Sequence, residues 1–154
     1  MIGRLSRKVR SFGALPLFTK LWLLPVWLML ALARAAVLLL PFRRIATLLG
    51  TDTGRAAHIP LLPPMGQARA LVIGRTVRLA AGYAPWQANC FAQAIVAAIL
   101  LRLYGLPYTI FFGLRRASPP ETGLQAHAWT AAGKVAVTGG AGVGGYTVVG
   151  AFTR

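Results

Sequence analysis

Acidic residues are almost missing from this chain. Asp52 and Glu121 stand against seventeen Lys and Arg, a net charge of +15 over 154 residues. So few carboxylates come close to excluding a paired-carboxylate glycosidase or a carboxylate-rich metal site, since both need acids grouped at one place. Internal ion pairs cannot neutralise this charge, so its field has to be met by an anionic partner such as phospholipid, nucleic acid or an acidic peptide. Cysteine is scarcer still. Cys90 stands alone, which rules out an intrachain disulfide and a thiolate zinc cluster and agrees with a reducing compartment. Histidine is limited to His58 and His127. His58 lies within 50–67, among Gly50, Asp52, Gly54, Pro60, Pro63, Pro64 and Gly66, and reads as a solvated loop residue. Patterns for RNP, KH or zinc-finger modules are lacking too. The basic residues fall in short groups (Arg4, Arg7, Lys8, Arg10; Arg34, Arg43, Arg44; Arg75, Arg78; Arg115, Arg116). That grouping favours a membrane or peptide partner over nucleic acid.

Apolar sequence is plentiful, at 56% of residues. Leu21–Ala33 carries no charge, Arg34 follows, and Ala35–Leu40 is apolar again up to Pro41. A bilayer span needs about 20 apolar residues, and this stretch reaches that only by including Pro25 and Arg34. As a signal peptide it has a small-x-small site at Ala33-Arg34-Ala35, but the apolar run continues past it. The favoured reading is an amphipathic or partly buried helix lying on a membrane or partner, with Arg34, Arg43 and Arg44 within reach of phosphates. A core helix fits the same pattern. The expected location is cytoplasmic, or peripheral at the inner face of the membrane. The chain is long enough for one domain with a proper core. The expected organisation is a basic, apolar helical segment over 1–50, a linker over 51–65 and a folded core over 66–154.

Within that core, Ala68–Ala81 predicts a helix ending at Gly82. Asn89 is a favourable N-cap and makes Cys90 the first residue of a second helix, stopped by Gly105-Leu106-Pro107. Its body, with Ile95, Val96, Ile99, Leu100 and Leu103, is apolar nearly all round and should be central. The texture then turns to strands: Tyr108–Leu114, a loop with Pro119, Pro120 and Glu121, a hairpin of Gln125–Ala131 and Lys134–Thr138 around Gly133, and Tyr146–Phe152. Gly139–Gly145 is a flexible loop, since it lacks the Lys-Ser/Thr ending of a phosphate loop. A helix N-terminus favours a thiolate, and an imidazole can take the thiol proton and hold the pair. Cys90 and His127 are therefore candidate nucleophile and base. The competing reading is a buried cysteine acting as a small hydrophobe.

A buried helix opening on Cys, followed by antiparallel strands carrying His, is an α+β layout of the papain-like and transglutaminase-like kind. The resemblance becomes closer in detail. Pro85-Trp86-x-x-x-Cys90, Leu103-x-Gly105-Leu106-Pro107, Gly113-Leu114-Arg115, Ala126-His127-Ala128-Trp129 and Tyr146-Thr147-Val148 together resemble the lasso peptide biosynthesis B2 proteins. Pro41-Phe42-Arg43-Arg44 resembles the start of that family, so the likeness covers most of the chain. It implies a transglutaminase-like cysteine protease that removes the leader from a ribosomally made lasso precursor, without cofactor or metal. It further implies three partners: the precursor peptide, a separate leader-recognition protein and an ATP-dependent lasso cyclase. Cys90 would then be the nucleophile and His127 the base, with the Cys90 N–H holding the oxyanion and Trp86, Gln87 or Asn89 as further donors.

The chain departs from that family at the third member, an Asp on the strand after the His. Here that strand, Lys134–Gly140, contains no acid. If Gly133-Lys134 is a two-residue turn, His127 lies opposite Gly140 and Thr138 shares its face. Thr138 or a backbone carbonyl is then expected to orient the imidazole, with Asp52, folded back from the linker, as a further candidate. Two other functions fit the same residues: a non-catalytic, membrane-associated scaffold, and an acyltransferase in which an amine resolves the thioester.

Overall fold

The computed structural model describes residues 15–56, 58–117 and 122–154. The basic lead-in and the Pro119–Glu121 loop lie outside these. Helix α1 (Leu17–Leu39) runs straight through Arg34 and buries Thr19, Val26, Leu30 and Ala33 on one face. Pro41 then opens the short helix α2 (Phe42–Leu49), which buries Ile45 and Leu49. Helix α3 (Pro64–Gly82) starts four residues before the expected Ala68. Pro64 sits in its first turn, where proline's fixed φ suits a helix and its missing N–H costs nothing. Helix α4 (Cys90–Leu103) begins at the expected residue and ends at Gly105, whose φ of 65° is the left-handed turn that terminates helices.

Five antiparallel strands form one sheet in the order β1-β5-β2-β3-β4. They are β1 (Thr51–Asp52), β2 (Thr109–Arg116), β3 (Leu124–Ala132), β4 (Val135–Thr138) and β5 (Thr147–Thr153). The fold is therefore α+β, with helices on one face of the sheet. Val26 and Leu30 of α1, Ile73 and Val77 of α3, Val96 and Leu100 of α4, and Ile110 and Val137 of the sheet belong to one buried cluster. A smaller cluster of Phe111, Ala131 and Ala151, with Trp129 and Val148 against it, covers the other face.

The inner face of α1 is part of this core. The Thr76 hydroxyl donates to the Val72 carbonyl at 2.9 Å, so the buried Thr19 hydroxyl, also 2.9 Å away, donates to Thr76. Trp22 Nε1 donates to the Tyr104 hydroxyl at 2.8 Å. Apolar burial and satisfied hydroxyls together fix α1 to α3 and α4. Within 51–65, Thr51 and Asp52 pair with Thr153 and Phe152 at the sheet edge.

Candidate active site

The cysteine side of the site is built by local rules. Asn89 Oδ1 accepts the Ala92 N–H at 3.1 Å, and the Asn89 carbonyl accepts the Gln93 N–H at 3.1 Å. The first bond fills one of the four N–H groups that a helix start leaves open, and the second is the first regular bond of the helix. The N–H groups of Cys90 and Phe91 remain at the open end, next to the thiol. The helix has no acid in its first turn, so its positive end is undiminished there. Cys90 is half-buried and free.

The histidine side is built by packing between strands. His127 pairs with Gly113 of β2. A Cβ at Gly113 would stand 2.8 Å from the Trp129 ring and 3.0 Å from Tyr146 Cβ, so only glycine lets those rings close over the strand. The imidazole lies 5.2 Å from the Tyr146 ring and 5.9 Å from that of Trp129, and Trp129 stacks on Phe111 at 5.4 Å. Arg115 sits 4.7 Å over the Tyr146 ring, a favourable cation–π contact. His127 Nε2 is 2.7 Å from the Gly139 carbonyl oxygen. A carbonyl can only accept, so Nε2 carries the proton and the neutral ring keeps its lone pair on Nδ1. That is the tautomer a base needs.

Cys90 and His127 line one cavity of about 650 Å3. No hydrogen bond joins the thiol to the imidazole, whose ring stacks with Trp129 on the sheet face that the smaller cluster covers. Four phenylalanines stand in the cavity wall. Phe112 meets Phe91 at 5.3 Å, Phe42 at 5.5 Å and Phe152 at 5.9 Å, all close to edge-on, the preferred arrangement of ring quadrupoles. Asn89, Asp52 and Gly54 also line it. Among the described residues no three His, Cys, Asp or Glu side chains gather as metal ligands.

A family profile described as the transglutaminase-like superfamily matches residues 36–151. The chain belongs to the transglutaminase-like superfamily. That superfamily contains cysteine proteases and acyltransferases, and the matched span includes Cys90, His127 and Asp52. No curated protein and no solved structure matches the chain.

Within this transglutaminase-like domain the other candidates fall in different places. Thr138 does not share a face with His127. The β3–β4 register shifts between Thr130 and Ala131, so Thr138 pairs with Thr130 and not with a position one residue off. Thr130 is three residues from His127, hence on the opposite face, and both threonine hydroxyls are buried without a partner. The backbone-carbonyl alternative is the one observed, at Gly139. Asp52 does fold back from the linker to the cavity. Its Oδ1 accepts the Gly54 N–H at 2.8 Å, and β5 and β2 stand between its strand and β3. Three strand spacings amount to about 14 Å, too far for a direct bond to the imidazole. Trp86 packs on Trp27 at 4.6 Å with its buried Nε1 unpartnered, and Gln87 is exposed. Neither lines the cavity. Glu121 lies outside the described residues. His58 is exposed, and its carbonyl accepts the Thr109 hydroxyl at 2.6 Å.

Tyr146 and Gly113 were not singled out as site residues. A glycine within an otherwise β-branched and aromatic strand was the available signal.

Proposed function

We propose that this transglutaminase-like chain is a cysteine peptidase that removes the leader from a lasso peptide precursor. The observation that carries this reading is one cavity lined by a helix-start thiol and by an imidazole whose Nε2 is tied to a carbonyl. In the first step Nδ1 of His127 takes the Cys90 proton and the sulfur attacks the leader–core amide carbonyl. The oxyanion is held by the free N–H groups of Cys90 and Phe91. The C–N bond breaks, the amine leaves with the proton from His127, and the leader remains as a thioester on Cys90. In the second step His127 takes a proton from water. The hydroxide displaces sulfur, the thiol regains its proton, and the leader departs with a free carboxylate.

The ordered motifs that resemble the B2 proteins support the lasso assignment: two of them supply Gly113 and His127 to this cavity, and a third supplies Tyr146, whose ring backs the imidazole. The partners in this reading are the precursor, a separate leader-recognition protein and an ATP-dependent cyclase. The phenylalanine wall is suited to an apolar residue of the leader near the scissile bond.

Mass spectrometry of a lasso precursor incubated with the chain and the recognition protein tests this reading. Cleavage at the leader–core junction, lost in Cys90→Ala, is the expected result. Cleavage retained by Cys90→Ala would overturn it. Adding hydroxylamine separates hydrolysis from acyl transfer, since a thioester open to amines yields the leader hydroxamate.

A further inference from the structure

Helix α1 has a second face that none of the described residues covers. Leu17, Leu21, Leu24, Leu28 and Leu32 recur at helical spacing and are 50–71% exposed. Leu38 and Leu39 extend the stripe at 64% and 80%. Only 17% of the most apolar window of this helix is buried, with a mean hydropathy of 2.0. At 1.5 Å per residue its 23 residues reach about 34 Å, long enough to cross a bilayer. Its inner face argues against crossing. That face is bonded to α3 through Thr19 and Thr76 and to the end of α4 through Trp22 and Tyr104. A crossing α1 would draw α3, with Arg69, Arg75 and Arg78, into hydrocarbon.

We infer that the leucine face of α1 docks flat on an anionic phospholipid surface. A helix with one apolar face buried to headgroup depth and basic residues beside it is the physical form of such an anchor. Arg43 and Arg44 are exposed immediately after the stripe, on α2, near the exposed Leu48. There the apolar groups enter the acyl region while the guanidinium groups stay with the phosphates. The overall charge of +15 supplies long-range attraction to the same surface.

Charge also argues against a second copy of this chain. Two such faces would meet with the same sign, and the chain has two acids to offset them. A protein partner is the less suited occupant, because the stripe is leucine and carries no exposed Trp, Tyr or Arg, the residues that dominate protein interfaces.

Flotation of the full chain with vesicles tests the inference. Phosphatidylcholine vesicles are compared with vesicles that also contain phosphatidylglycerol. The chain should float with the anionic vesicles roughly tenfold more than with the neutral ones. The combined variant Leu24→Glu, Leu28→Glu, Leu32→Glu should reduce this at least about tenfold, and Arg43→Gln with Arg44→Gln should reduce it several-fold. Absence of flotation, or flotation unchanged in the leucine variant, overturns the inference. So does lipid-free self-association that the leucine variant abolishes, which would assign the face to a second copy. If the triple variant fails to fold, Leu28→Trp gives an independent reading. Brominated acyl chains should quench its added fluorescence, and unquenched emission would also overturn the inference. Cys90→Ala should bind vesicles like wild type, so the result stands apart from the peptidase proposal.

Discussion

The two halves of the candidate site are held by different kinds of interaction. Cys90 is placed by a stretch of six residues: a proline-led approach, an Asn cap and the start of an apolar helix. His127 is placed by groups distant in sequence: the Gly139 carbonyl from the end of β4, the Tyr146 ring from the start of β5, and the gap left by Gly113 on β2. A local device tolerates change elsewhere in the protein, whereas a tertiary one fails when any of its supports moves. The cysteine half should therefore be robust and the histidine half fragile.

Removal of either reacting group has the largest expected effect. Cys90→Ala should abolish acylation by a peptide substrate. His127→Ala should slow it by about 10²–10⁴-fold, measured by single-turnover formation of the cleaved leader. Equal rates in His127→Ala and wild type would break the pairing of the two halves.

Gly139→Asp is the sharpest test of the histidine half, since it puts an acid on the strand end where the resembled family carries one. Gly139 has φ 67°, and a Cβ there would stand 2.5 Å from the Ala128 carbonyl and 2.9 Å from Trp129 Cβ. The variant should lose about 1–3 kcal/mol by thermal or urea unfolding and lose activity as the carbonyl moves. A gain in activity would show that the carbonyl is a poor substitute for the acid. Asn89→Ala probes the cysteine half more gently. Losing the cap should cost about 1 kcal/mol and lower the alkylation rate of Cys90 by a few-fold, while Asn89→Asp should preserve stability. Asp52→Asn should have the smallest effect, within about twofold in activity, because a surface carboxylate bonded to its own turn contributes little.

The sequence made the cysteine half legible because its signals are contiguous. Asn before Cys before an apolar run predicts the cap, the first helical residue and the burial of α4 together. The α+β class, the β3–β4 hairpin around Gly133 and the last strand were legible for the same reason. The orienting group of His127 was legible only as a choice between Thr138 and a backbone carbonyl, because a bulge after Thr130 moves Thr138 to the other face, and bulges leave little trace in composition. The fate of α1 was open as well. A leucine-rich helix with one buried face and one exposed face has the same composition as a core helix or a span, and only the packing of Thr19, Val26 and Leu30 separates the faces.

If Cys90 is a nucleophile served by His127, its alkylation by iodoacetamide at neutral pH should be fast in wild type and slower by about tenfold or more in His127→Ala. Slow alkylation in both proteins, or equal rates, would contradict that role and leave Cys90 as a packing residue in a membrane-associated scaffold.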